Sequence, residues 1–153
     1  AWTHDGKKFA QAQYNHGINS EKQGHPQWGS ANAYLSRDGK TLYLITKHNA
    51  VASHAGAYNT KARGVETPAY YQKDITSSQY EGLVYTAAYW YLKDHPGRKE
   101  KMTYDEAERY LIGHGEITEE VGIGDHSDFT APFADGLAQK FMNLINTVIS
   151  EDN

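Results

Sequence analysis

The chain has 153 residues and a mass of 17.2 kDa, enough for one domain that buries its own core without disulfides or structural metals. Cysteine is absent, which excludes a disulfide framework, a thiolate metal ligand and a cysteine nucleophile. The net charge of -4 and pI of about 6.0 argue against nucleic acid or an anionic membrane as main partner, and no apolar run approaches the roughly 20 residues of a membrane span.

The first thirty residues predict one short strand and one short helix. Trp2-Thr3-His4 has the composition of a strand end that runs into Asp5-Gly6, and residues 7–14 follow as a short helix. Residues 17–28 contain Asn, Ser, Gly and Pro without hydrophobic periodicity, so we assign them to a loop. His4 is therefore expected at the end of a strand.

The clearest local pattern is a β-hairpin. Two runs rich in strand-forming residues, 31–36 and 41–46, lie on either side of Asp38-Gly39, a pair suited to a tight turn. A loop is predicted next, over residues 48–57. It contains His54.

A further strand, short and buried, is predicted at residues 64–67 and ends at Pro68. This strand carries Glu66. A carboxylate inside a fold is costly unless it is paired or used, so Glu66 needs a structural partner or a function.

A long amphipathic helix is predicted to open at Ser78 with a Ser-x-x-Glu capping box and to end before Pro96-Gly97. Tyr85, Tyr89 and Trp90 lie off its apolar face. They form either a surface for sugar or peptide or extra packing against a neighbouring loop. The apolar face itself consists of Tyr80, Leu83, Val84, Ala87, Ala88, Tyr91 and Leu92.

The remaining elements complete an α/β pattern. A helix over residues 104–110 leads into a predicted strand at 111–114, and an amphipathic helix closes the chain. Strands and helices mix along the sequence, which predicts a central mixed β-sheet flanked by α-helices. The apolar face of the last helix consists of Phe133, Leu137, Phe141, Leu144, Ile145, Val148 and Ile149.

Side chains suited to zinc lie at predicted strand ends and loops. His114 is followed by a polar, glycine-bearing run that closes on His126 and Asp128. Imidazole nitrogen and carboxylate oxygen are zinc ligands, so this segment can supply one of each. The alternative is a solvated loop whose histidines bind nothing. His16, His25, His48 and His95 are assigned to the surface.

The order of these features resembles the type 2 N-acetylmuramoyl-L-alanine amidase family, zinc amidases that share the peptidoglycan-recognition-protein fold and include autolysins and phage endolysins. The resemblance covers nearly the whole chain. It departs from the family pattern at Asn32, where many relatives carry histidine, and before His4, where the strand is nearly absent. The matching motifs are Trp2-Thr3-His4-Asp5-Gly6, Ser30-Ala31-Asn32-Ala33-Tyr34, Arg37-Asp38-Gly39, Ser53-His54-Ala55, Arg63-Gly64-Val65-Glu66, His114 after the long helix, and Asp125-His126-Ser127-Asp128.

The resemblance implies that residues 1–153 form a single zinc amidase domain with His4, His114 and Asp128 as metal ligands. Two imidazoles and one carboxylate leave a tetrahedral zinc with an open position for water, whose pKa such a site lowers towards neutrality. Glu66 is then expected to act as the general base, and His126 to donate a hydrogen bond to the developing oxyanion.

His54 and Asn32 are the expected substrate-binding residues. Two of these assignments have structural alternatives. Glu66 can instead pair with Arg63 or a nearby lysine, and His54 can serve only to order its own loop.

The expected activity is therefore cleavage of the amide between the muramyl lactyl group and L-alanine in peptidoglycan, by a monomer. The expected location is secreted, at the cell wall, or as a phage-encoded lytic protein. The opening residues are no signal peptide, so an exported protein would have lost its targeting segment or carry it outside this sequence. The alternatives are a non-catalytic peptidoglycan-binding module of the same fold and an interaction domain whose histidines are incidental.

Overall fold

A computed structural model describes residues 31–51, 61–67, 74–113 and 131–152, together with Gln11 and Asn15. Gln11 and Asn15 are helical, and the Gln11 side-chain amide donates to Asn15 Oδ1 at 3.0 Å. Helical backbone at Gln11 agrees with the helix predicted over residues 7–14, and Asn15, one position beyond that range, is also helical. The predicted strand at Trp2–His4 and the loop at 17–28 lie outside the described residues.

The described strands form a small mixed sheet of three strands. They are β1 (Ala33–Leu35), β2 (Leu42–Leu44) and β3 (Val65–Glu66), in the order β2-β1-β3. β1 pairs with β2 in antiparallel and with β3 in parallel orientation. All of β1 is buried, as expected for the central strand.

The hairpin between β1 and β2 is confirmed, and its turn is built around Ser36 and Asp38. The Gly39 amide donates to the Ser36 carbonyl at 2.9 Å, and the Ser36 amide donates to the Thr41 carbonyl across the loop, also at 2.9 Å. The Asp38 carboxylate accepts from the Ser36 hydroxyl at 2.5 Å and from the Lys40 amide at 3.0 Å. These bonds, with the Ser36 hydroxyl first, hold the pKa of the Asp38 carboxyl below its usual value.

Gly39 is required at this turn for two reasons. Its φ of 72° lies in the left-handed region that favours glycine. A Cβ built on Gly39 would also overlap the backbone of Ser78 in the first turn of the following helix. The turn therefore packs directly against the start of that helix.

Helix α1 (Ser77–Asp94) begins earlier than the sequence pattern predicts. The predicted capping box at Ser78 and Glu81 is wrong in its position, because the reciprocal bonds are made by Thr76 and Gln79. The Gln79 amide donates to Thr76 Oγ1 at 3.1 Å, and the Thr76 amide donates to Gln79 Oε1 at 3.0 Å. Arg37 Nη1 donates to the same Gln79 oxygen at 2.8 Å, which attaches the hairpin turn to the helix cap.

The buried face of α1 contains the predicted residues and is wider than predicted. Val84, Ala87, Ala88 and Tyr91 are buried, as expected. Trp90, which lies off the predicted apolar stripe, is also buried at 7% exposure.

The other described helices are α2 (Tyr104–Tyr110) and α3 (Ala131–Asp152). Both were predicted, but Leu111–Gly113, expected to begin a strand, belong to no strand in the described chain. Leu111 has extended backbone and donates its amide to the Ala107 carbonyl at 3.1 Å, so it caps α2.

The second half of the chain has its own apolar core. Three aromatic rings meet at its centre, with centroids 5.2–5.7 Å apart: Tyr110 stacks on Phe141, and Tyr91 contacts both of them edge to face. Val84, Ala87, Ala88, Met102, Ala107, Ala138, Ile145 and Ile149 are buried in the same cluster.

Two polar contacts hold the segment between α1 and α2. The Asn146 side chain accepts from the Met102 amide at 2.7 Å and donates to the Met102 carbonyl at 3.0 Å. Arg98 donates to the Tyr91 hydroxyl at 2.5 Å and forms an ion pair with Glu106 at 2.7 Å. Arg98 and Asn146 thus hold this segment by polar contacts, and the buried Met102 adds an apolar one.

The chain divides into two compact units, residues 1–82 and 83–153, and the boundary falls within α1. A mixed α/β fold is confirmed, since the described residues contain three strands and three helices. Within the described ranges, no helix has both the length and the apolarity required to cross a membrane.

Candidate functional site

Glu66, the predicted general base, lies on β3 beside the central strand. Its Cα partner in the parallel pair is Tyr34 of β1, and Tyr34 in turn faces Tyr43 of β2. Side chains that pair across a sheet project from the same face, so Tyr34, Tyr43 and Glu66 share one face. Tyr34 is fully buried, but the expected burial of the strand that carries Glu66 is wrong: Val65 is half-buried and Glu66 is exposed.

The electrostatic surroundings of Tyr34 reflect this arrangement. Burial, followed by the nearby Glu66 carboxylate and Tyr43, raises the pKa of Tyr34 to about 12. The Tyr34 and Tyr43 rings lie 6.2 Å apart in a tilted arrangement. At neutral pH a protonated phenol therefore lies on the same face as the Glu66 carboxylate.

Asn32, predicted to bind substrate, occupies the junction of the three strands. It is 3% exposed. Its Oδ1 accepts from the Gly64 amide at 2.9 Å, and its Nδ2 donates to Thr46 Oγ1 and to the Ala50 carbonyl, both at 3.1 Å. Both Nδ2 hydrogens are used in these bonds, so a substrate that accepted a hydrogen bond from Nδ2 would have to replace one of them. The substrate-binding role of Asn32 stays a prediction.

The backbone of Asn32 joins the same strands. Its amide donates to the Gly64 carbonyl at 3.0 Å, and its carbonyl accepts from the Ile45 and Thr46 amides at 2.9 and 3.1 Å. Side chain and backbone together therefore hold the segment before β3 and the segment after β2 against β1.

Arg63, the proposed alternative partner of Glu66, has described contacts with His48. Arg63 Nε donates to the His48 carbonyl at 2.9 Å, and its guanidinium lies 3.0 Å from His48 Nε2. His48 is half-buried rather than on the open surface. This contact attaches the loop after β2 to the segment that leads into β3, and so supports the position of Glu66.

The other predicted site residues, His4, His54, His114, His126 and Asp128, lie outside the described residues. Within the described ranges, no group of three or more His, Asp or Glu side chains is arranged to hold a metal ion. The proposed donor set of two imidazoles and one carboxylate fits zinc by its chemistry. The predictions for these five residues are unchanged by the described geometry.

Tyr34 is the residue at this site that sequence reasoning missed. It appeared only as part of a strand motif. The signal that would have found it is the parallel pairing of β1 with β3, which sets Tyr34 opposite Glu66 and which local sequence patterns do not specify.

Comparison of the chain with protein-family models, with curated protein sequences and with solved structures finds no match.

Proposed function

We propose that this chain is a zinc-dependent peptidoglycan hydrolase that cleaves the amide between N-acetylmuramic acid and the L-alanine of the stem peptide. The observation that best supports the proposal is the position of Glu66: an exposed carboxylate on a strand of a mixed sheet, beside a buried tyrosine. A general base must be accessible and must be carried by an element that fixes its position, and an exposed Glu66 on a paired strand is compatible with that role.

The proposed ligands are His4, His114 and Asp128, and the proposed fold is that of the peptidoglycan-recognition proteins. Bound zinc would supply a water nucleophile at neutral pH. Glu66 takes a proton from the attacking water and delivers it to the leaving L-alanine nitrogen. His126 donates a hydrogen bond to the carbonyl oxygen as negative charge builds on it. The activity would be exerted at a cell wall, by a secreted or phage-encoded protein.

The ligand assignment is tested by a matched pair of variants in one short segment. Asp128→Ala should lose both tight zinc binding and activity, because a carboxylate ligand is removed. Asp125→Ala, which makes the same change three residues earlier, should keep the metal. Zinc measured by elemental mass spectrometry separates the two. Loss of zinc from Asp125→Ala alone would show that the wrong aspartate has been assigned.

Catalysis is separated from metal binding by His126→Ala. This variant should keep its zinc and its fold while kcat falls by roughly 10²–10³, the usual cost of removing one oxyanion donor. Glu66→Gln should likewise keep zinc and lose activity. If wild-type protein binds zinc and cell walls but releases no peptide, the chain is instead a non-catalytic peptidoglycan-binding module.

A further inference from the structure

One row of side chains on helix α1 is exposed over about three turns. Glu81, Tyr85, Tyr89 and Lys93 recur at every fourth residue, and all four are exposed. Tyr85 and Tyr89 keep 55% and 47% of their surface accessible, whereas Trp90, one position further on, is buried. The sequence left open whether these aromatics pack inside. Tyr85 and Tyr89 do not.

The two ends of the row carry opposite charges, so a second copy of the row in reverse orientation would be complementary to it. Glu81 stands at one end and Lys93 at the other, with the two tyrosines between them. Successive members lie about 6 Å apart along the helix axis, so the row is about 18 Å long. Lys93 Nζ already lies over the Tyr89 ring, 5.6 Å from its centroid, which draws the cation towards the middle of the row.

Helix geometry allows two such rows to meet. Residues four apart form a ridge, and the ridges of two helices run side by side when the axes cross at about -50°. A two-fold axis through the midpoint of the row reverses it. Each Glu81 then faces a Lys93 and each Tyr85 faces a Tyr89, as an isologous interface requires.

We propose that this row is a self-association surface and that its occupant is a second copy of the chain. Two copies cross at the midpoint between Tyr85 and Tyr89, with Glu81 opposite the partner's Lys93 at both ends. Four side chains per copy bury less than the roughly 1,200 Å² of stable complexes, so the dimer is weak and exchanges rapidly with monomer. The proposal does not depend on the proposed function, and it replaces the expected monomer with a concentration-dependent equilibrium.

Charge reversal tests the pairing directly. Sedimentation equilibrium from micromolar to millimolar concentration should show wild-type dimerisation. Glu81→Lys and Lys93→Glu should each weaken it about tenfold, because symmetry turns two attractive pairs into two repulsive ones. The double variant should restore it. Glu108→Lys, the same charge change at an exposed position of α2, is the matched control and should leave association unchanged.

Circular dichroism establishes that each variant is folded. The double variant has the same net charge as the wild type, so restored association in it shows that the pairing of charges matters and not the net charge. A wild-type chain that stays monomeric at millimolar concentration overturns the proposal. So does a double variant that associates no better than the single ones. A third contrary result is binding of a soluble N-acetylglucosamine oligomer, lost in Tyr85→Ser and Tyr89→Ser, without any dimer; it would assign the row to sugar instead.

Discussion

Replacing Asn32 with alanine separates the structural role of this residue from its predicted role in substrate binding. The change removes all three side-chain hydrogen bonds, to the Gly64 amide, Thr46 Oγ1 and the Ala50 carbonyl. The backbone bonds to Gly64, Ile45 and Thr46 remain possible. The loss is therefore confined to the amide group.

The expected loss of stability depends on whether the groups that bonded to the Asn32 amide can bond to water instead. Ala50 is exposed, so its carbonyl can bond to water, whereas Gly64 is half-buried and its amide is left poorly satisfied. Net loss of a hydrogen bond costs about 0.5–1.5 kcal/mol, and a buried unsatisfied group costs about 1–3 kcal/mol. Asn32→Ala should thus lower the free energy of unfolding by about 2–4 kcal/mol.

Asn32→Asp sharpens the test because it is isosteric. The carboxylate can still accept from the Gly64 amide, but it donates nothing and faces two oxygen atoms that previously accepted from Nδ2. Burial and these oxygens should raise the pKa of the introduced carboxyl above its unfolded value. Its penalty is therefore full above that raised pKa and disappears as pH falls from there to the unfolded value.

Urea unfolding of the variants at pH 7 and at acid pH measures these effects, with Asn49→Ala, an exposed asparagine in the loop after β2, as the control. If Asn32→Ala lowers the free energy of unfolding by less than about 0.5 kcal/mol, the side-chain amide of Asn32 does not hold the three strands together. Unchanged stability together with a raised KM would instead assign the amide to substrate.

Three other perturbations have defined outcomes. Asn146→Ala removes the bonds to both backbone groups of the buried Met102 and should lower the free energy of unfolding, measured in urea, by about 2–4 kcal/mol; an unchanged free energy would show that these bonds do not hold the segment. The pKa of Tyr34 is raised to about 12, so its phenol leaves stability unchanged below pH 10.0 and lowers it as pH rises from there towards 12. Tyr34→Phe should lack that share of the alkaline loss, and an unaltered profile would contradict the assignment. The hydrogen bond from Arg98 lowers the pKa of Glu106, so wild-type stability should fall as pH drops below 4.5. Glu106→Gln should flatten this acid limb, and an equally steep limb would mean that the pair contributes nothing.

The hairpin was predictable because its information is local. Asp38-Gly39 specifies a turn, and strand-forming residues flank it on both sides. The pairing of β1 with β3 is not local. The sequence indicated a strand around Glu66, but its parallel position beside Tyr34 depends on contacts between residues more than thirty positions apart.

The start of α1 shows how a long-range contact decides between two similar local patterns. Both Ser78-x-x-Glu81 and Thr76-x-x-Gln79 fit a capping box. The second is used, and its Gln79 oxygen also accepts from Arg37 of the hairpin turn. The sequence pattern of one helix does not show that a donor from another element, here Arg37, will bond to its cap.

The candidate site divides in the same way. Glu66 was singled out because a carboxylate inside the fold would be costly, but Glu66 is exposed, so this cost does not arise and its catalytic role rests on the resemblance. Asn32 was assigned by resemblance to substrate, whereas its described contacts are with the sheet. The metal ligands stay a prediction that rests on residue chemistry and on the order of the motifs.

The most direct test of the proposed function is the identity of the bond that is cut. Purified peptidoglycan digested with the protein should yield stem peptides with a new L-alanine amino terminus and glycan strands that keep their muramic lactyl carboxylate, both identified by mass spectrometry. Release should stop when a chelator removes the metal and return when zinc is added. Digestion that produces only new reducing sugar ends, or release of L-alanine termini that is indifferent to chelator and zinc, would contradict the proposal.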